Sequence, residues 1–225
     1  MARSESLSTK DRERAAGSAI SVSLVAAMLS LLLFAWLAEE VLETDTARFD
    51  NFVRAAVHGW ASPGLTSFMQ AMTWIGSVKF LVAFVAVCVA VFLYARWRRA
   101  AFLLLIAVAG AIPLDAVLKV AFHRARPVPF FETQLPASYS FPSGHALFAF
   151  CIFGVLAAVT AARTSRIWLR VVIWAFAGAM VFLIGLSRIY LGVHYPSDVI
   201  AGYLAAAIWV STIAAVDRWR RRRPV

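Results

Sequence analysis

Apolar residues run unbroken through long stretches of this chain, and its polar residues are confined to the intervals between them. Residues 17–38 carry no charge. Further runs cover residues 80–95 (the helix beginning a few residues earlier), 100–118 broken only by Asp115, 145–162, 171–187 and 199–216. Each approaches the roughly 20 residues that a helix needs to cross about 30 Å of hydrocarbon. The runs are continuous rather than alternating, so they predict helices and not barrel strands. The expected fold is all-α: an integral membrane bundle of six transmembrane helices in one membrane domain, residues 1–225. Residues 1–16 precede the first span, residues 39–75 form a loop after it, residues 100–216 hold the last four spans, and residues 217–225 are a basic tail. The first run exceeds the roughly 7–15 residues of a signal core and lacks a small-residue cleavage pattern, so it is read as a retained anchor.

Between the first two spans the pattern changes. Phe49, Phe52, Val53, Ala56, Val57 and Trp60 recur at helical spacing opposite Asp50, Asn51 and Arg54, until Ser62-Pro63-Gly64 breaks the stretch. This predicts a helix that either lies in the outer interface beside the path of a lipid or caps the bundle.

Orientation follows from the basic residues. One side would hold Arg3, Lys10, Arg12, Arg14, Arg96, Arg98, Arg99, Arg163, Arg166, Arg170 and the tail arginines 218 and 220–223; the other has only Arg48, Arg54, Lys79, Lys119, Arg124, Arg126 and Arg188. The richer side is expected in the cytoplasm, together with both termini. Trp97, Trp168 and Trp219 near that side and Trp36 near the other suit an interfacial aromatic belt; Trp174 and Trp209 fit helix packing equally well.

Composition agrees with a membrane class. The chain is 62% hydrophobic and 15% charged, against about 45–50% and about 25% in globular proteins. The net charge of +10 raises nucleic acid as a partner, but the charges sit in short clusters between apolar runs, so no nucleic-acid partner is expected. Cys88 and Cys151 lie inside apolar runs without metal-ligand spacing and are read as core thiols.

Polar residues inside or beside spans are costly and ask for a function or a partner. They gather in three segments at the expected outer face: Lys119 through Pro127, Pro142 through His145, and Ser187 through Asp198. Lys119, Arg126 and Arg188 supply three cations that suit a phosphoryl group. Ser143 reads as a helix N-cap, and Gly144 allows close backbone approach, so the first amides of the following helix would face an anion. His145 stands in that same turn. Pro196 marks a helix start that puts Asp198 in the first turn, where its carboxylate accepts from one ring nitrogen of His194 and leaves the other free as a nucleophile. His145 would then serve as general acid and later as base. Singly the three segments are weak or moderate signals, since basic residues flank many spans and proline, cap and glycine mark many helix starts. Together, in order and on one face, they are strong.

These three segments resemble the signature motifs of the type 2 phosphatidic acid phosphatase family, with every fixed position filled. The resemblance is close over the second half of the chain, which makes residues 100–216 a phosphatase core. It implies a helical bundle with His194 as nucleophile, Asp198 as its orienting partner and His145 as acid. It places Lys119, Arg126, Ser143, Gly144 and Arg188 on the phosphate and needs no metal or other cofactor. The implied partners are the bilayer and a lipid phosphate: a polyprenyl diphosphate, phosphatidylglycerol phosphate, phosphatidic acid or lipid A phosphate. The expected location is a bacterial plasma membrane with the site on the outer face. Other readings are a phosphotransferase using the same site, a lipid-phosphate binder or transporter, and a vanadate-dependent haloperoxidase, which six spans disfavour. Asp115, one turn before Lys119, is expected to pair with it. His123 and Arg124 are read as solvated loop residues, with contact to a second phosphate or head group as the alternative, and His58 as non-catalytic. Substrate identity and oligomeric state are not encoded in these patterns.

Overall fold

The computed structural model describes residues 9–132 and 135–222, with backbone alone for residues 9–16. Arg3 and Arg223 therefore lie outside the described residues, as do the side chains of Lys10, Arg12 and Arg14. The described residues form eight helices and no strand: α1 (Thr9–Leu42), α2 (Ala47–His58), α3 (Pro63–Ile75), α4 (Val78–Tyr94), α5 (Arg98–Phe122), α6 (Gly144–Ala161), α7 (Ile167–Tyr190) and α8 (Pro196–Arg220).

Five of these, α1 from Gly17 onward and α5 to α8, are long and apolar enough to cross a membrane singly. The crossing expected around residues 80–95 differs. Helix α4 has 17 residues, and α3 leads into it through a 56° bend, so the pair is either a broken sixth crossing or a re-entrant turn. The break is written locally. Gly76 ends α3, and Ser77 starts α4 by accepting a bond from the Phe80 amide at 3.3 Å. The outward faces carry exposed Val22, Leu32, Trp36, Val172, Phe176 and Phe182, a surface that lipid solvates and water does not.

Helix α8 touches α1, α5, α6 and α7. Lipid gives helices no hydrophobic reason to associate, so close approach of small residues takes over. Ala201, Gly202, Ala205 and Ala206 are buried on α8. A methyl group on Gly202 would sit 2.6 Å from the Ser143 carbonyl oxygen of α6. Leu81, Val85, Leu104, Ala107 and Ile152 form a second core joining α4, α5 and α6. Trp209 is a packing residue whose indole donates to the Ala107 carbonyl at 3.0 Å, whereas Trp174 is exposed.

The two ends of the bundle differ in charge. At one end Arg99 of α5 pairs with Asp217 of α8, Arg163 lies 4.2 Å over the Trp97 ring, and Arg218 donates to the Ala19 carbonyl at 2.9 Å. The α5–α6 and α7–α8 connections meet at the other end, covered by α2 and α3.

The amphipathic stretch expected from Phe49 to Trp60 and broken at Ser62-Pro63-Gly64 is helix α2, and residues 39–75 add a second helix, α3, after the break. Asp50 of α2 is fully buried and Arg54 half-buried, while Phe49, Phe52 and Trp60 are exposed. Helix α2 turns Asp50, Val53, Arg54 and Val57 inward, where both ionic and apolar partners exist, and leaves Asn51 and its aromatic residues to the surroundings.

The Gly202→Ala variant is expected to push α8 off the α6 backbone, with a cost of about 1–3 kcal/mol. A lower midpoint of thermal unfolding in detergent would show it; an unchanged midpoint would mean the helices part freely.

Candidate active site

Helix α5 ends at His123, whose φ of 46° is left-handed and turns the chain into the loop that follows. In the last turn before it, the Lys119 ammonium donates to Asp115 at 2.6 Å, as the spacing anticipated, and to the Pro142 carbonyl at 2.9 Å. The second bond ties the first polar segment to the second. The Ser143 amide donates to the Asp198 carbonyl at 2.9 Å, tying the second to the third. Arg126 closes the ring, because its guanidinium reaches the Val193 carbonyl at 3.1 Å and His194 Nε2 at 3.0 Å. All three segments thus share one site.

A guanidinium only donates. His194 Nε2 must therefore accept from Arg126, which puts the ring proton on Nδ1. That nitrogen faces Asp198 Oδ2 at 3.3 Å. The same oxygen accepts from the Tyr195 amide at 2.9 Å and from the Ser140 hydroxyl at 2.5 Å. The expected tautomer is built, with the Nε2 lone pair directed toward the cations. His194 and Asp198 are both buried. Burial draws the His194 pKa down from its ordinary value to about 4, with Asp198 opposing and Arg188 and Arg126 assisting.

Ser143 occupies the N-cap of α6, but its hydroxyl caps nothing. The oxygen is buried without a partner, and so is Arg188 Nε. Both atoms are dry hydrogen-bonding groups that an incoming phosphoryl oxygen could satisfy. The opening amides of α6 likewise receive no side-chain acceptor, which is the arrangement that binds anions at a helix start. Arg188 also donates to Thr73 of α3. The groups facing His145 are Arg188, His194, Lys119 and Arg126. Gly76 closes that side, since a methyl there would lie 2.9 Å from the His145 ring and 2.6 Å from Ile184. Among the described residues no group of three or more His, Cys, Asp or Glu gathers as a metal site.

Several participants were invisible as sequence signals. Arg124, read as a solvated loop residue, is instead pinned between two carboxylates: 2.7 Å to Asp198 Oδ1 and 2.7 Å to Asp50 Oδ2. Burial works against its charge, but Asp198 and Asp50 prevail and hold its pKa above the ordinary value. Ser140 and Thr73 also enter the site from outside the three segments, and Ser197 enters it from within the third without having been assigned a role. The one hint was the offset of Arg124, two residues before Arg126, which aims the two side chains to one side of an extended loop. His123 stays exposed, edge-on to the Tyr139 ring at 4.6 Å. His58 stacks on Phe130 at 4.1 Å.

Comparison with known proteins bears on this geometry. A family model described as the PAP2 superfamily matches residues 100–222. Phosphatidylglycerophosphatase B of Bacillus subtilis is 29% identical over 86% of this chain and 96% of its own length. The undecaprenyl-diphosphatase of Sulfolobus acidocaldarius is 33% identical over 67% of this chain and 73% of its own. The crystal structure of a transmembrane PAP2-type phosphatidylglycerolphosphate phosphatase from Bacillus subtilis superposes with a TM-score of 0.80 and 26% identity, covering 88% of this chain and 98% of that one.

Buried neutral His194 links folding to pH. Between its unfolded pKa near 6.5 and its folded value of about 4, the unfolded chain holds a proton that the folded one lacks. Stability is therefore complete above pH 6.5 and falls as pH drops, by up to about 3 kcal/mol from this group. Unfolding midpoints of the wild type and His194→Gln, compared from pH 7 to 5, should diverge; parallel curves would contradict the burial effect.

Proposed function

The chain belongs to the PAP2 superfamily, and from that premise we propose that it removes phosphate from a membrane lipid through a phosphohistidine formed on His194. It is an integral membrane enzyme acting on a lipid phosphate ester, and the residue roles follow from the site. Lys119, Arg126, Arg188, the Ser143 hydroxyl and the amides opening α6 at Gly144 hold the phosphoryl oxygens. His194 Nε2 attacks phosphorus as the bond to the lipid oxygen breaks, and that oxygen takes a proton from His145. The ring keeps its Nδ1 proton and becomes cationic, with Asp198 stabilising it. Water then attacks the phosphorus and gives its proton to His145, and phosphate leaves with His194 neutral again. Arg126 sits on Nε2 in the absence of substrate, so it must yield to the phosphoryl group and then bind its oxygens.

The observation that carries this reading is the His194 pair of contacts: Nδ1 toward Asp198, Nε2 toward Arg126. A protein that only bound or carried a lipid phosphate would need the cations but no oriented histidine. Sidedness rests on charge. Among the described residues, the clusters around Arg96 to Arg99, Arg163 to Arg170 and Arg218 to Arg222 fall at the bundle end opposite the site, which supports cytoplasmic termini and an outward-facing site in the plasma membrane.

Phosphate release from lipid mono- and diphosphates (phosphatidylglycerol phosphate, phosphatidic acid, undecaprenyl diphosphate, lipid A) by protein in detergent with EDTA tests the proposal. Wild type should turn over at least one, and His194→Ala should lose about 10³-fold or more. Turnover that survives in His194→Ala, or that EDTA abolishes, would sink it. The acid limb of kcat/KM that reports His194 should lie near pH 4, the value to which burial draws it. Below that pH both ring nitrogens carry protons and no lone pair remains to attack.

A further inference from the structure

Arg124 lies inside the first polar segment but was given no role in the phosphate chemistry, and Asp50 comes from a helix that chemistry does not otherwise use. Yet their bonds converge on Asp198. Asp50 is fully buried; its Oδ1 accepts from the Ser197 amide at 2.9 Å, and its Oδ2 from the Ser197 hydroxyl at 2.6 Å and from Arg124 at 2.7 Å. The other guanidinium nitrogen of Arg124 donates to Asp198 Oδ1 and to the Ser197 hydroxyl, each at 2.7 Å. The Tyr195 ring covers the guanidinium at 4.2 Å.

We propose that Asp50 and Arg124 are positioning residues for the nucleophile: Arg124, anchored by Asp50, fixes the Asp198 carboxylate so that its second oxygen stays turned toward His194 Nδ1. The inference rests on the reading of His194 given above. Two physical arguments carry it. The first is orientation. Held at Oδ2 by the Tyr195 amide and the Ser140 hydroxyl, the carboxylate can still pivot about that oxygen, which turns its lone pairs off Nδ1. Arg124 occupies Oδ1 and removes this freedom, and a planar fork locked between two acids does so with little freedom of its own. The second is charge. Asp50, Arg124 and Asp198 together carry one net negative charge in a dry interior. That charge is what the cationic ring of phosphohistidine needs beside it. With Asp50 neutral, Arg124 and Asp198 would cancel, and the cationic ring would stand uncompensated among Arg126 and Arg188.

A tie that only fastened α2 to the bundle makes different predictions. Asp50→Asn, Arg124→Lys, Arg124→Gln and the Asp50→Asn/Arg124→Gln double variant would be purified in detergent beside wild type and His194→Ala. The folded fraction of each is measured by size exclusion and thermal melting. Then kcat, KM and the inhibition constant of inorganic phosphate are determined per folded molecule on the best substrate of the panel. Asp50→Asn and Arg124→Gln should each lower kcat about 10- to 100-fold, the scale of a misplaced catalytic group. The phosphate inhibition constant should not change, because Lys119, Arg126, Arg188 and Ser143 hold the anion. Arg124→Lys should recover part of the rate, and the double variant should be no slower than the slower single one, as for residues acting as a unit. An unchanged kcat with a lowered melting midpoint would overturn the proposal and leave a structural tie. Phosphate affinity lost in step with kcat, or losses that multiply in the double variant, would overturn it as well. If wild type shows no His194-dependent release on any lipid, the reading of the site fails and takes this inference with it; turnover indifferent to Asp50 and Arg124 refutes this inference alone.

Discussion

A charge buried beside a membrane must be answered by another charge, and this requirement organises the polar end of the bundle. Arg124 between Asp50 and Asp198 is its clearest expression. Both carboxylates are fully buried, and one cation bridges them at 2.7 Å each. Deleting one partner of such a group leaves an uncompensated charge and costs about 3–5 kcal/mol. The knot ties helix α2, the loop after α5 and the first turn of α8, the same three parts that Val57, Phe131 and Val199 bring into one apolar cluster.

The rest of the site is built in the opposite way, with groups left unanswered. The Ser143 hydroxyl and Arg188 Nε are buried without partners, and the amides opening α6 have no side-chain cap. Unsatisfied donors in a dry place are expensive. Their clustering beside His145 and His194 makes sense for an anion that supplies several oxygens at once. The satisfied half of the site holds the nucleophile still, and the unsatisfied half is complementary to phosphate.

Beside the phosphate-facing half lies the bent α3–α4 pair. A straight helix through residues 63–94 would carry its side chains past the site, whereas the 56° bend at Gly76 and Ser77 sets α3 at an angle to α4 and against α7. Thr73 then meets Arg188, and Gly76 lets backbone approach the His145 ring and Ile184 at a distance that a methyl group would not permit. The short α4, 17 residues long, follows from the same turn.

How much of this was legible beforehand divides along a physical line. Continuous apolar runs dictate membrane helices, because backbone in lipid can satisfy itself in few other ways; the all-α bundle and most of its spans were therefore readable from residues 17–38 and 100–216. Local spacing also sufficed for the Asp115–Lys119 pair, four residues apart on one helix, and for Asp198 in the first turn after Pro196. Distant partners were not readable. Asp50 and Arg124 are 74 residues apart, and nothing in either neighbourhood names the other. Helix α2 shows the limit most plainly: amphipathic spacing established that it has two faces, but not which face turns inward. The buried carboxylate of Asp198 and the apolar cluster around Val57 settled that together, since Asp198 takes its cation from Arg124, which Asp50 helps to hold, and such requirements exist only once the chain has folded.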